Sequence, residues 1–204
     1  DLEFDGYVTL NGGYVFAGKD DVIYKHSIPD KDIEALVRYQ EKEGEFPCAF
    51  VQEDEIFMNY TDKAVNDVFH LLNFPAPPIR PIEDIYGKTV YQLIAFFTAE
   101  QEKRIMKVLS HCESTRWNPL FIDIVPLGSS KRVGIDKMLE HYHIGLDECM
   151  AFGDGGNDIQ MLSHVGIGVA MGNAAEDVMS AAGYVTTSVD ENGVYNALKH
   201  FNII

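Results

Sequence analysis

Six residues, Gly153-Asp154-Gly155-Gly156-Asn157-Asp158, constrain what this chain can fold into more than any others. The stretch before them, Cys149 to Phe152, has the apolar character of a strand. The stretch after them, about Asp158 to His164, has helical spacing. A strand that turns through glycines straight into a helix belongs to a parallel sheet, because parallel neighbours need a crossover rather than a hairpin. The flanking sequence repeats this alternation. A helix is expected over Lys131 to about His143 behind the cap Ser129-Ser130, a strand at Ile167 to Ala170 and a helix near Ala175 to Ala182. A strand at Tyr184 to Thr187 and a helix near Val194 to Phe201 follow. In such sheets ligands sit beyond the carboxyl ends of the strands, which is where the six residues fall.

The earlier part of the chain has a different rhythm. Gly6 to Ile28 predicts two strands around a turn at Asn11-Gly12, a pair suited to the positive φ angles of a type I′ hairpin. A helix is expected over Asp30 to Gly44, with strands at Cys48 to Val51 and Ile56 to Asn59 and a helix over Lys63 to Leu72. A Pro-rich loop spans 74–81. A strand near Val90 to Phe97, a helix near Glu100 to Leu109 and a strand near Phe121 to Val125 complete an α+β section.

The chemistry of the six-residue loop points to a divalent cation. Two carboxylates and an amide sit on a loop whose glycines let a ligand approach the backbone closely. Mg²⁺ prefers such hard oxygen donors, one or two from protein, with waters and phosphate oxygens completing its octahedron. Asp154, first past the strand, is the candidate direct ligand. Asp158 either binds directly or orients a metal-bound water, and Asn157 tethers the loop or a phosphate oxygen. A solvated turn would use the same residue types. A dinucleotide loop is disfavoured, since Gly153-x-Gly155 lacks the third glycine at the required place. Lys131 opens its helix at an end where the dipole disfavours a cation. It reads either as a solvated surface lysine or as the group that neutralises a phosphate beside the metal. Asn11-Gly12-Gly13 reads as a turn, Arg80, Arg116 and Trp117 as candidate ligand contacts, and Met161, Leu162, Val165 and Met171 as core. His141 and His143 fall on different faces of a helix, against a shared metal.

Charge and cysteine content narrow the partners. The net charge of −16 argues against nucleic acid, whose phosphates need clustered Lys and Arg. No apolar run reaches the roughly 18 residues of a membrane span. The three cysteines, Cys48, Cys112 and Cys149, are too few and too scattered for a disulfide framework or a zinc ribbon, so a reducing, cytoplasmic compartment is expected.

Taken together, Gly153-Asp154-Gly155-Gly156-Asn157-Asp158, Ser130-Lys131 and the segment Asp5 to Gly13 resemble the haloacid dehalogenase superfamily. Within it the chain is similar to the Cof-type sugar-phosphate phosphatases, a likeness extended by Gly166 to Ala174 and Asp190 to Val194. The resemblance implies an α/β fold: a Rossmann-like parallel-sheet core over 1–28 and 123–204, with an α+β cap inserted over 29–122. It implies Mg²⁺-dependent hydrolysis of small phosphorylated metabolites through an aspartyl-phosphate. Asp154 and Asp158 then match metal-site residues, Lys131 and Asp158 catalytic ones, and Asn11, Lys131 and Asn157 substrate-binding ones. An inactive phospho-ligand-binding module and a phosphotransferase or mutase on the same core are the alternative implications. The family's first motif, D-x-D-G-T/V, is not matched, since Asp5-Gly6-Tyr7 supplies one acid. The family layout therefore leads us to expect a preceding segment of about sixty residues that carries the nucleophile. Without the strand in that segment, the 204 residues are expected neither to fold stably nor to hydrolyse phosphate esters.

Overall fold

A computed structural model describes residues 4–18, 21–44 and 46–204, and only the backbone of Trp117. The chain opens with β1 (Gly6–Thr9), β2 (Tyr14–Ala17) and β3 (Asp21–Lys25), which form one three-stranded sheet in that order. The antiparallel β1–β2 register runs from Gly6 opposite Ala17 to Thr9 opposite Tyr14. Residues 10–13 therefore form a four-residue connection, not the two-residue type I′ turn that Asn11-Gly12 suggests. The positive-φ signal is genuine but longer than the dipeptide: Leu10, Asn11 and Gly12 all have positive φ, at 51°, 51° and 87°. Gly12 is obligatory for a second reason. A Cβ there would lie 1.9 Å from the Ser130 carbonyl oxygen, so this turn packs backbone against backbone on the start of the next core helix.

The chain then builds α1 (Asp30–Glu43), β4 (Cys48–Val51), β5 (Ile56–Met58), α2 (Lys63–Leu71), β6 (Gln92–Ala95), α3 (Ala99–Val108), β7 (Cys112–Asn118) and β8 (Phe121–Pro126). Its five strands pair antiparallel in the order β5-β4-β6-β8-β7. Period-two alternation sorts the side chains onto two faces. Cys48, Phe50, Leu93, Ala95, Ile122 and Ile124 pack with Ile33, Leu36 and Val37 of α1 and Ile105 of α3. Ala49, Phe96 and Phe121 pack with Val65 and Val68 of α2. Helix α2 is capped by the Asp62 carboxylate, which accepts the Val65 N–H at 2.9 Å. Thr98 and Gln101 form a capping box on α3.

The last segment holds α4 (Lys131–Tyr142), β9 (Met150–Gly153), α5 (Ile159–Leu162), β10 (Ile167–Ala170), α6 (Glu176–Ala181), β11 (Tyr184–Val185) and α7 (Gly193–His200). Strands β9, β10 and β11 are parallel, with β10 central. Gly153 pairs with Ala170, so β9 and β10 end level. Ala151, Met161, Leu162, Val165, Ala170 and Val178 form the buried cluster behind this sheet, and Met171 is also buried. Gly134 in α4 allows the helix to lie on β1: a Cβ would meet Val8 Cγ1 at 2.4 Å and Gly12 Cα at 2.9 Å.

The chain divides into two compact units, Asp1–Tyr24 with Ser130–Ile204, and Lys25–Ser129. The sequence places the crossings at 28/29 and 122/123, whereas the structure places them at 24/25 and 129/130. The second difference has a physical cause. Strand β8 pairs with β6 over Ile122 to Ile124 and with β7 from Phe121 to Pro126, so the apolar run from 121 continues in this five-stranded sheet to Pro126. Among the described residues no helix is long and apolar enough to cross a membrane.

Candidate active site

Asp154 is the first residue past β9, at the carboxyl end of a parallel strand. The loop behind it is organised by Asp158, which is only 5% exposed. Asp158 Oδ2 accepts the backbone N–H groups of Asp154 and Gly155, at 3.0 Å each. Its Oδ1 accepts from Lys131 Nζ at 2.5 Å. This packing depends on Gly153, where a Cβ would sit 2.6 Å from Asp158 Cβ and 2.7 Å from its Cγ.

Lys131 is the first residue of α4, behind the Ser130 cap whose Oγ accepts the Val133 N–H at 3.3 Å. A lysine at a helix start is offset here by the buried carboxylate it faces, which supplies the negative charge the dipole prefers. Asn157 donates from Nδ2 to Asn11 Oδ1 at 3.1 Å, tying the loop after β9 to the turn between β1 and β2. The structure thus brings Asn11, Lys131, Asp154, Asn157 and Asp158 into one hydrogen-bonded neighbourhood within a single unit. A cavity of about 380 Å³ opens beside it, lined by Lys131, Asp154 and Asp158 on the polar side and by Val8, Ile135 and Met161 on the apolar side.

The donor set fits a hard cation bound partly by protein. Among the described residues no group of three or more His, Cys, Asp or Glu side chains is arranged to hold a metal by itself. A carboxylate at a strand end, beside a cavity with room for waters and an anionic ligand, suits Mg²⁺, which takes one or two protein carboxylates and completes its shell with waters and phosphate oxygens. Both oxygens of Asp158 are engaged by protein donors, whereas Asp154 has Oδ2 contacted at 3.1 Å by Asn173 Nδ2.

Sequence reasoning gave no role to Asn173. The available signal was positional: it lies just past the carboxyl end of β10, next to the strand end that carries Asp154. The other candidates are occupied elsewhere. Arg80 holds Glu55 at 2.8 Å, which keeps the Glu55 carboxyl below its usual range. Arg116 is shared among Glu102 Oε2, at 2.8 Å, and the carbonyls of Pro119 and Phe97. The Trp117 side chain lies outside the described residues. His141 faces Asp21 at 3.6 Å, while His143 ends α4 in the left-handed region at φ 56°.

The sequence pattern of a family described as haloacid dehalogenase-like hydrolase matches residues 1–198. YkrA of Bacillus subtilis, which carries a phosphatase name, is 33% identical over 206 residues, covering 100% of this chain and 78% of that protein. The 5-amino-6-(5-phospho-D-ribitylamino)uracil phosphatase YitU of Bacillus subtilis is 29% identical over 203 residues, covering 95% of this chain and 75% of that protein. A solved structure of a sugar phosphatase of haloacid dehalogenase subclass IIB superposes with a TM-score of 0.90 at 45% identity, covering 98% of this chain and 76% of that chain.

Proposed function

The chain belongs to the haloacid dehalogenase-like hydrolases and is a phosphatase of that family, and from this premise we propose that it hydrolyses small sugar phosphates with Mg²⁺. The observation that carries the reading is the Lys131–Asp158 pair set beneath Asp154 on the wall of one cavity. It joins a fixed cation to an acid placed for a second cation, the combination a phosphate dianion needs.

In this reading Asp154 holds Mg²⁺ directly. Asp158 is a supporting residue rather than a ligand, because its two oxygens already accept three protein donors. The bound ion supplies charge neutralisation for a phosphoryl group. Lys131, oriented by Asp158, donates to a phosphate oxygen. Because the pair is preorganised and Asp158 is buried, the ammonium acts in a site of low dielectric, where fixed charge counts for more than in water. Asn157 and Asn11 hold the loop against the β1–β2 turn and line the approach to the phosphate. In-line phosphoryl transfer depends chiefly on such positioning and electrostatics. The sugar-phosphate class is supported by the relatives, one a sugar phosphatase and one acting on a phosphorylated ribityl compound. The two units are proposed to be the core and the inserted cap of the family. A reducing cytoplasm is supported by three free cysteines, of which Cys48 and Cys112 are buried.

The test is phosphate release from a panel of phosphorylated sugars by the full-length protein, with and without Mg²⁺, for the native protein and Asp154→Ala. The reading predicts turnover that needs Mg²⁺ and is lost in the variant. Mg²⁺-dependent turnover that survives Asp154→Ala overturns the site.

A further inference from the structure

Asn173 sits in the turn after β10, one strand across from Asp154. Met171 N–H donates to the Gly153 carbonyl at 2.9 Å, which keeps the two strand ends side by side. The Asn173 side chain is engaged at both ends. Its Oδ1 accepts the Val189 N–H at 3.0 Å, and its Nδ2 donates to Asp154 Oδ2 at 3.1 Å. These partners settle the amide's orientation. A backbone N–H can only donate, so the oxygen faces Val189 and the NH₂ group faces the carboxylate. The turn reaches this position because residue 172 is glycine: a Cβ there would lie 2.8 Å from both Ser188 N and the Thr186 carbonyl oxygen. Gly172 N–H also donates to the Thr187 carbonyl at 3.1 Å.

We propose that Asn173 is a positioning residue that holds the Asp154 carboxylate in one orientation for cation capture, with its own amide kept the right way round by the Val189 N–H. The proposal rests on the reading of Asp154 as the cation-holding acid. With Oδ2 bound by the amide, the carboxylate does not rotate freely and presents its second oxygen in a fixed direction. Donors behind metal-ligating carboxylates commonly change affinity by about 10–100-fold when removed. The Asn173 amide is engaged at one end by Val189 and at the other by Asp154, so the role assigned to it is exerted through Asp154.

Mn²⁺ serves as the probe, its binding to the full-length protein without substrate followed by electron paramagnetic resonance. Asn173→Ala is expected to weaken Mn²⁺ binding about tenfold. Val189→Pro removes only the donor that fixes the amide. Val189 is the first residue of a 3-10 turn, a position that accepts proline, and Ser188 before it, at φ −65° and ψ 167°, already has the backbone that a following proline demands. Its affinity should fall in the same direction by a smaller factor. In kinetics, Asn173→Ala should raise the Mg²⁺ activation constant while saturating Mg²⁺ restores kcat, which a merely structural defect would not allow. If Asp154→Asn loses Mn²⁺ binding while both Asn173→Ala and Val189→Pro bind like the native protein, the positioning role is overturned and the site reading stands. Weakened binding in Asn173→Ala alone overturns the part assigned to Val189. Native binding in Asp154→Asn overturns the underlying reading itself.

Discussion

Lys131 Nζ stands 2.5 Å from Asp158 Oδ1, and the other oxygen of that buried carboxylate gathers the N–H groups of Asp154 and Gly155. One side chain therefore sets both the lysine and the loop that carries Asp154, the acid proposed to hold the cation. Lys131→Met is expected to reduce kcat about 10²–10³-fold, the range for losing one preorganised donor to developing charge. It should also lower stability by about 1.5 kcal/mol, the lower end for a charged hydrogen bond, because the lysine side chain is 33% exposed. Steady-state kinetics and thermal melting of the same preparation measure the two effects. Native kcat in a folded variant would remove Lys131 from the machinery.

Gly153→Ala tests the packing beneath the loop. The new methyl group would fall within 2.8 Å of Asp158 Cβ, Cγ and Oδ2, all close to the backbone of a buried residue. Overpacking of this kind costs about 1–3 kcal/mol. The displaced carboxylate also loosens Lys131, so activity should fall together with the melting temperature. A variant with native stability would show that the loop yields without strain.

Arg116 and Arg80 are expected to set stability rather than substrate choice. Arg116 spends its guanidinium on Glu102 and two backbone carbonyls, and Arg80 spends its own on Glu55. Arg116→Met should cost about 1.5–3 kcal/mol and leave the ranking of phosphorylated substrates unchanged. A reordered substrate panel in a stable variant would return Arg116 to the binding residues.

The residues that announce the site in the sequence are those whose chemistry and backbone freedom coincide. Asp154 and Asp158 are carboxylates among glycines at a strand end, and Gly153 proves necessary for contact with Asp158, so composition and geometry agree. Lys131 was legible as a candidate phosphate partner from its misfit at a helix start and from the family resemblance, but its pairing with Asp158, 27 residues away, was not. Asn173 stayed unread for a similar reason: its two bonds reach Asp154 and Val189, which only the parallel sheet brings together. Strand β7 was also missed. Cys112-Glu113-Ser114-Thr115-Arg116-Trp117-Asn118 is too polar to read as a strand alone, but as an edge strand it needs an apolar partner on one side only, and β8 provides it. The division into compact units after β8 differs from the sequence reading because an apolar run does not say which of two sheets it joins.

Burial pushes the Cys48 thiol above its ordinary value of 9.0. The folded chain therefore resists ionising this thiol while the unfolded chain does not. The sign follows directly. Below about pH 9 both states keep the proton and the group leaves stability unchanged; above it the unfolded state loses the proton first and stability declines with rising pH. Cys48→Ala should flatten this alkaline decline, although the variant is less stable at neutral pH because the site is fully buried. Urea melts across pH 7–10.5 measure the slope, and an unchanged slope would assign the decline to other groups.

Asn11 combines a backbone role with a side-chain role, and two substitutions separate them. Its φ of 51° and ψ of 35° lie in the left-handed region, which costs most L-residues about 1–2 kcal/mol. Its Oδ1 also accepts from Asn157 at 3.1 Å. Asn11→Gly keeps the backbone accessible and deletes the amide, whereas Asn11→Ala loses both. Asn11→Gly is therefore expected to melt close to the native protein but to show a reduced kcat/KM for phosphate monoesters, because Asn157 and the loop it anchors lose their tether. Asn11→Ala should show the same kinetic loss and a lower melting temperature. If Asn11→Gly retains native kcat/KM, the asparagine serves the turn alone, and the link between that turn and the loop of Asn157 carries no catalytic weight.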